Sequence, residues 1–156
     1  MSRKKKENEI DTAKDTAFRF LSYRSRSVLE VKRKLQEKEF SPHTIRATLS
    51  RLMELGYLND QEYATAVARS SIENKQWGPI RIHDALLKKG IAKDIIDNTL
   101  EELTKDYDLI RVARLAFDSK FSLTPEQLAE EKTRRKVMGY LKSCLLYTSP
   151  SPRDCV

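Results

Sequence analysis

Apolar residues recur along this chain at helical spacing, in segments separated by short polar turns. In one segment Val28, Val31 and Leu35 fall at i, i+3 and i+7, so they share one face of a helix. Ser27 precedes this segment and Glu30 stands at its third position, as in a capping box, where two side chains satisfy the free backbone donors of a helix start. The pattern therefore predicts a helix that begins directly after Ser27.

Further start and stop signals divide most of the remaining sequence into helices. Ser41 followed by Pro42 indicates a helix start, because proline suits the first helical turn. Gly56 indicates a helix end, since glycine readily takes the left-handed conformation that closes a helix. Starts are predicted near Ile10, Val28, Pro42, Asp60, Pro79 and Lys93, and ends near Arg24, Phe40, Gly56, Lys75, Gly90 and Lys105.

The second trio of predicted helices matches the first when the sequence is shifted by 51 positions. Chance alignment of two amphipathic helix pairs is the alternative, but we interpret the shared register as an internal repeat. The expected fold class is all-α, with tandem three-helix repeats in an elongated, curved array whose third repeat is truncated. The matched pairs are Leu35 and Leu86, Lys38 and Lys89, Phe40 and Ile91, Ile45 and Ile96, Leu49 and Leu100, and Leu52 and Leu103.

The third unit has two amphipathic segments, one from Leu109 and one containing Val137 and Leu141, but no third. After them the sequence reads CLLYTSPSPRDCV, whose prolines exclude a helix. This tail is either non-native, from a frameshift, read-through or cloning, or a native disordered segment. We therefore expect a frayed basic N-terminus (1–9), two complete repeats (10–58 and 59–105), an incomplete third (106–143) and the tail (144–156).

Composition agrees with a helical protein that has a modest core. Hydrophobic residues make up 39% of 156, charged residues 34%, and glycines number only four, which favours exposed amphipathic helices over a sheet. The net charge of +7 indicates a polyanionic or acidic partner. No apolar run approaches the roughly 20 residues that span a bilayer, and the N-terminus lacks the apolar stretch of a signal peptide. We expect a cytoplasmic monomer without membrane contact.

The sequence offers no set of residues for catalysis. His43 and His83 have no partner at the spacing of a ligand or base motif, and Cys144 and Cys155 have no His near them at zinc-site spacing. The acidic run 94–108 is interpreted as a solvated helix face, although a metal-dependent nuclease is an alternative. We expect no catalytic residue, no cofactor and no metal.

Cations crowd parts of both complete repeats. A recurring basic face could follow a phosphate backbone or an acidic groove, whereas the alternative is that these cations only solubilise the outer sides of helices. Trp77 is similarly either an anchor for its loop or part of a binding surface. The cations that we consider candidates for partner contact are Arg24, Arg26, Lys32, Arg33, Arg69, Arg81, Lys88 and Lys89.

Three blocks in fixed order carry a resemblance to a known family: FLSYRSRSVLEVKRKL, LGYLNDQEYATAVARS and GPIRIHDALLKKGI. Together they resemble the RecX family of recombination regulators, and a weaker likeness extends to about residue 143. The motif positions are Tyr23, Arg24, Arg26 and Ser27, then Gly56, Tyr57, Leu58, Asp60, Tyr63, Ala64 and Arg69, then Gly78, Pro79, Ile82, Leu86, Gly90 and Ile91.

The resemblance implies tandem three-helix repeats and a regulatory function without a cofactor. RecX proteins bind the filament of the RecA recombinase on single-stranded DNA and restrain strand exchange, ATP hydrolysis and co-protease activity. The chain departs from the family in lacking the last helix of its third unit and the N-terminal extension of some relatives. The alternative function is a helical protein that acts directly on nucleic acid without RecA, and weak direct DNA binding is a further expectation.

Overall fold

The computed structural model describes the backbone of residues 2–145 and the side chains of residues 8–108 and 110–142. Within this range the secondary structure is entirely helical. Of the predicted tail (144–156), residues 144 and 145 belong to the last helix, and the rest lies outside the described residues. The helices are α1 (Ser2–Ser22), α2 (Val28–Glu37), α3 (Pro42–Glu54), α4 (Asp60–Lys75), α5 (Pro79–Lys88), α6 (Lys93–Asp106), α7 (Leu109–Lys120), α8 (Pro125–Ala129) and α9 (Glu131–Leu145).

The first unit consists of α1, α2 and α3, with α3 packed against both other helices. Its α1 begins at Ser2, where the sequence suggested a frayed end before Ile10. Glu9 connects this early part of α1 to the start of α3, because its Oε1 accepts the backbone N–H of Ser41 at 3.0 Å. The buried core of the unit consists of Ala13, Ala17, Val31, Leu35, Ile45, Leu49, Leu52 and Leu58.

The second unit, α4 to α6, repeats the first, with α6 packed against α4 and α5. Leu35 and Leu86 are both 0% exposed, each in the core of its own unit. The repeat also extends into the first helix of each trio, where Ala13 and Ala17 correspond to Ala64 and Ala68. The predicted internal repeat is therefore confirmed.

The turn after the second helix is the same in both units. Phe40 N–H donates to Leu35 O at 3.3 Å, and Ile91 N–H donates to Leu86 O at 3.2 Å. The residue before each donor has a positive φ, 60° at Glu39 and 76° at Gly90. A glutamate thus holds in the first unit a left-handed conformation that glycine holds in the second.

The helix starts follow the predicted caps. Ser27 and Glu30 form both hydrogen bonds of a capping box at α2, and Ser41 Oγ accepts the N–H of Thr44 at α3. Asn59 accepts the N–H groups of Gln61 and Glu62 at α4. Local side chains therefore set the boundaries of these helices.

The third unit consists of α7, α8 and α9, with α9 packed against α5, α7 and α8. The short α8 was not predicted, although Thr124 and Gln127 form a capping box at its start. α9 packs against both other helices of this unit, but α8 has only five residues and none of them is buried. Large apolar side chains consequently stay exposed, 70% at Ile110 and 51% at Met138.

Candidate partner-binding surface

One carboxylate, that of Glu30 on α2, gathers side chains from both complete units. Lys89 Nζ, from the end of α5, donates to Glu30 Oε1 at 2.9 Å. Tyr63 OH, from α4, donates to Glu30 Oε2 at 3.1 Å, and the Ser27 N–H donates to the same oxygen at 3.2 Å. Glu30 therefore closes the cap of its own helix and also binds two helices of the next unit.

Two of the predicted contact residues also converge on Glu30. Arg24 Nη2 lies 3.2 Å and Arg26 Nη1 3.7 Å from Glu30 Oε1. The Arg26 side chain is only 15% exposed, and its guanidinium lies over the Phe20 ring at 4.2 Å from the centroid. Arg26 is thus largely enclosed between an aromatic ring and a carboxylate, while Arg24 is about half exposed.

Backbone groups join the two units at the same place. The buried Ser27 Oγ accepts the Glu30 N–H and donates to the backbone oxygen of Lys89 at 2.7 Å. Asp60, at the start of α4, accepts the Val28 N–H at 2.9 Å. We call the group formed by Ser27, Glu30, Asp60, Tyr63 and Lys89 the junction. Since its members come from α2, α4 and α5, it fixes the second unit against the first.

The two junction carboxylates have pKa values shifted in opposite directions. Burial raises the pKa of Glu30, but hydrogen bonds from Lys89, Ser27 and Tyr63, with the charge of Lys89, outweigh it and hold this pKa below its ordinary value. Burial raises the pKa of Asp60 above its ordinary value, because the single hydrogen bond from Val28 only partly offsets it. Burial, and then the charge of Glu30, raise the pKa of Tyr63. The junction is thus arranged around an ionised Glu30.

The structure divides the eight predicted contact cations into two groups. Arg24, Arg26 and Lys89 come together at Glu30, where their charges are used within the molecule. The other five are exposed, and none of them forms a salt bridge with a described residue. They lie on three helices: Lys32 and Arg33 on α2, Arg69 on α4, and Arg81 and Lys88 on α5.

Arg81 occupies the position in the second unit that Glu30 occupies in the first. There the Trp77 ring lies between two cations, with Lys75 Nζ and Arg81 Cζ each 4.6 Å from its centroid. No carboxylate holds these cations among the described residues, so the charged cluster of the first unit is replaced by a cation–aromatic one. The two units consequently share their cores and turns more closely than their charged positions.

Sequence reasoning missed the junction, although it named all five of its members. Glu30 was assigned to a capping box, which is correct, but its partner Lys89 lies 59 residues away. No local pattern reports such a pairing. Gly90 was the available signal. A glycine beside Lys89 not only ends a helix but also allows the two units to pack closely at this point.

Comparisons with known proteins place these units in a family. The model of the RecX first three-helix domain matches residues 13–52, and that of the second three-helix domain matches residues 59–100. The two matches fall within the two complete units and cover more than half of the chain. The chain belongs to the RecX family.

Similar proteins carry the name Regulatory protein RecX. The one from Trichlorobacter lovleyi is 30% identical over 126 residues, which cover 81% of this chain and 82% of the relative. The one from Pelodictyon phaeoclathratiforme is 32% identical over 137 residues, with coverages of 88% and 82%. The crystal structure of RecX from Lactobacillus salivarius has a TM-score of 0.73 at 23% identity, covering 90% of this chain and 91% of that one. The family is thus one of regulatory proteins, and the solved structure supports the fold.

The described residues also bear on two other classes of site, a membrane span and a metal centre. Among them no helix is both long enough and apolar enough to cross a bilayer. In the same part of the chain no three His, Cys, Asp or Glu side chains are grouped as metal ligands.

Proposed function

We propose that this chain binds the RecA recombinase filament on single-stranded DNA and lowers its strand exchange, ATP hydrolysis and co-protease activity. The observation that carries the proposal is the match of both three-helix units to the RecX family, whose members are named regulatory proteins. The chain acts without catalysis, by favouring one conformation of the filament over another.

The five exposed cations are the proposed contact residues. Lys32 and Arg33 belong to one unit and Arg69, Arg81 and Lys88 to the next, so the charge is spread over both. Each exposed charge contributes little by itself, since water and salt screen it. Several such contacts along a polymer add up, because each one raises the effective concentration of the next.

Arg24, Arg26 and Lys89 are positioning residues in this proposal. They act through Glu30 by holding the two units in one relative orientation. Without them the two units would sample a range of relative orientations. Fewer contact cations would then be in place at the same time, and binding to the filament would weaken.

Co-sedimentation with RecA filaments tests this binding. Filaments are assembled on single-stranded DNA with a non-hydrolysable nucleotide and pelleted with the purified chain. We expect the chain in the pellet, and less of it as salt is raised. Controls contain DNA alone and RecA alone, which separate filament binding from binding to either component. A chain that stays in the supernatant at saturating filament concentration contradicts the proposal.

A further inference from the structure

A groove between α1 and α2 combines cations with aromatic rings. It has a volume of about 440 Å³, and among its lining residues are Arg19, Lys34 and Lys38 together with Phe20, Tyr23 and Phe40. No carboxylate lines it. Notably, it lies in the first unit alone and includes none of the five exposed cations proposed to contact RecA.

The three cations give the groove a positive character. Arg19 and Lys38 are exposed and form no salt bridge with a described residue. Lys34 Nζ lies 2.9 Å from Glu37 Oε2, but that glutamate is 63% exposed. An exposed pair of this kind is weak and exchanges readily for another anion. The groove can therefore hold phosphate groups with all three cations.

The aromatic rings give the groove a second kind of binding group. Tyr23 is 83% exposed, an unusual state for a large ring in the connection between two packed helices. The Phe20 ring is held in place by Arg26, whose guanidinium lies 4.2 Å from its centroid. Tyr23 thus offers a free ring beside a ring that is already fixed.

We propose that this groove binds single-stranded nucleic acid, with its cations on the phosphates and Tyr23 stacked on a base. Cations beside exposed aromatic rings are the combination by which proteins bind single strands without sequence preference. A duplex keeps its bases stacked inside, so it offers only phosphates to the groove. An acidic protein surface would use the cations but leave Tyr23 without a function. The inference goes beyond the proposed function, because it requires no RecA.

Fluorescence anisotropy with a labelled oligothymidylate, in the absence of RecA, tests the inference. Tyr23→Ala leaves the net charge unchanged, and we expect it to weaken binding about fivefold or more through lost stacking. Lys38→Glu should weaken binding and lower the slope of log affinity against log salt. Both side chains are exposed, so the fold should persist, which circular dichroism checks.

Matched controls separate the groove from the rest of the surface. Tyr57→Ala removes another exposed tyrosine, and Lys93→Glu reverses an exposed cation on α6 that belongs neither to the groove nor to the proposed RecA contacts. Both variants should bind the oligonucleotide more tightly than Tyr23→Ala and Lys38→Glu. An oligothymidylate carrying 5-iodouracil should cross-link to Tyr23 under ultraviolet light. Equal affinities for Tyr23→Ala and Tyr57→Ala would overturn the inference. So would displacement of the oligonucleotide by polyglutamate at the same charge concentration, which would indicate an acidic protein as partner.

Discussion

Leu29 of the first unit lies directly against Gly90 of the second. A Cβ atom built on Gly90 would stand 2.3 Å from Leu29 Cδ2, well inside van der Waals contact. Gly90 also has φ +76°, a conformation that other residues adopt at a cost. Glycine is therefore required at this position for two reasons: the left-handed backbone conformation and the close approach of α2.

Gly90→Ala should destabilise the protein by about 2–4 kcal/mol, the sum of left-handed strain and overpacking. Gly56→Ala is the matched control: its φ is +74° but no atom lies within 4 Å of the added Cβ, so only the strain of about 1–2 kcal/mol applies. Urea unfolding measures both. The double variant Leu29→Ala with Gly90→Ala should lose less free energy of unfolding than the sum of the two single variants, because the shortened side chain at position 29 leaves space for the added Cβ. Equal losses for the two glycines would contradict this account of the contact.

Glu30→Gln should weaken the junction most at neutral pH. The folded-state pKa of Glu30 lies below its ordinary value of 4.5, so the ionised side chain stabilises the fold above that value. This contribution is lost as the pH falls through the lowered pKa. We expect a loss of about 1–3 kcal/mol at neutral pH, which shrinks in acid. Unfolding by urea at neutral pH and near pH 3 measures the difference.

Asp60→Asn is the control of opposite sign. Burial raises the folded-state pKa of Asp60 above its ordinary 3.8, so its ionisation costs stability as the pH rises through that range. An asparagine oxygen can still accept the Val28 N–H, and no charge is buried. The variant should therefore be as stable as the original chain or more stable at neutral pH, with the difference vanishing in acid. A Glu30→Gln effect that is independent of pH would show that the charge of Glu30 is unimportant.

Thr48 and Thr99 occupy the same position in the two units, and both are 0% exposed. Thr99 Oγ1 accepts a hydrogen bond from Gln61 Nε2 at 3.0 Å, whereas Thr48 Oγ1 is buried without a partner among the described residues. Thr48→Val should stabilise the protein by about 1 kcal/mol, because it removes an unsatisfied hydroxyl without changing the volume. Thr99→Val should cost about 1 kcal/mol. Thermal unfolding measures the stability of both variants. A loss of stability in both would contradict the claim that only the Thr99 hydroxyl is hydrogen-bonded.

Most of the fold follows from local sequence signals. Ser27 and Ser41 cap helices where the sequence predicted, α4 starts at the predicted Asp60, and the paired leucines Leu35 and Leu86 identify the repeat. These features are predictable because a cap or an apolar stripe involves residues only a few positions apart. The early start of α1 was not predicted, since Glu9 is stabilised by a contact to Ser41, 32 residues away.

The candidate surface was less predictable than the fold. Arg24, Arg26 and Lys89 were grouped with the other cations because charge alone does not tell a solvated cation from one held by a distant carboxylate. The structure separates them through contacts with Glu30, which is local to Arg26 but 59 residues from Lys89. The groove that contains Tyr23 was missed for a related reason, since its residues come from α1, from α2 and from the segments that follow these two helices.

RecA ATP hydrolysis on single-stranded DNA tests the central claim most directly. Saturating amounts of the chain should lower the turnover, and the double variant Lys32→Glu with Arg33→Glu should need a higher concentration for the same effect. Lys93→Glu reverses a charge on α6 outside the proposed contact set, and should act like the original chain. Turnover that stays unchanged at saturating concentrations of the folded chain would contradict the claim.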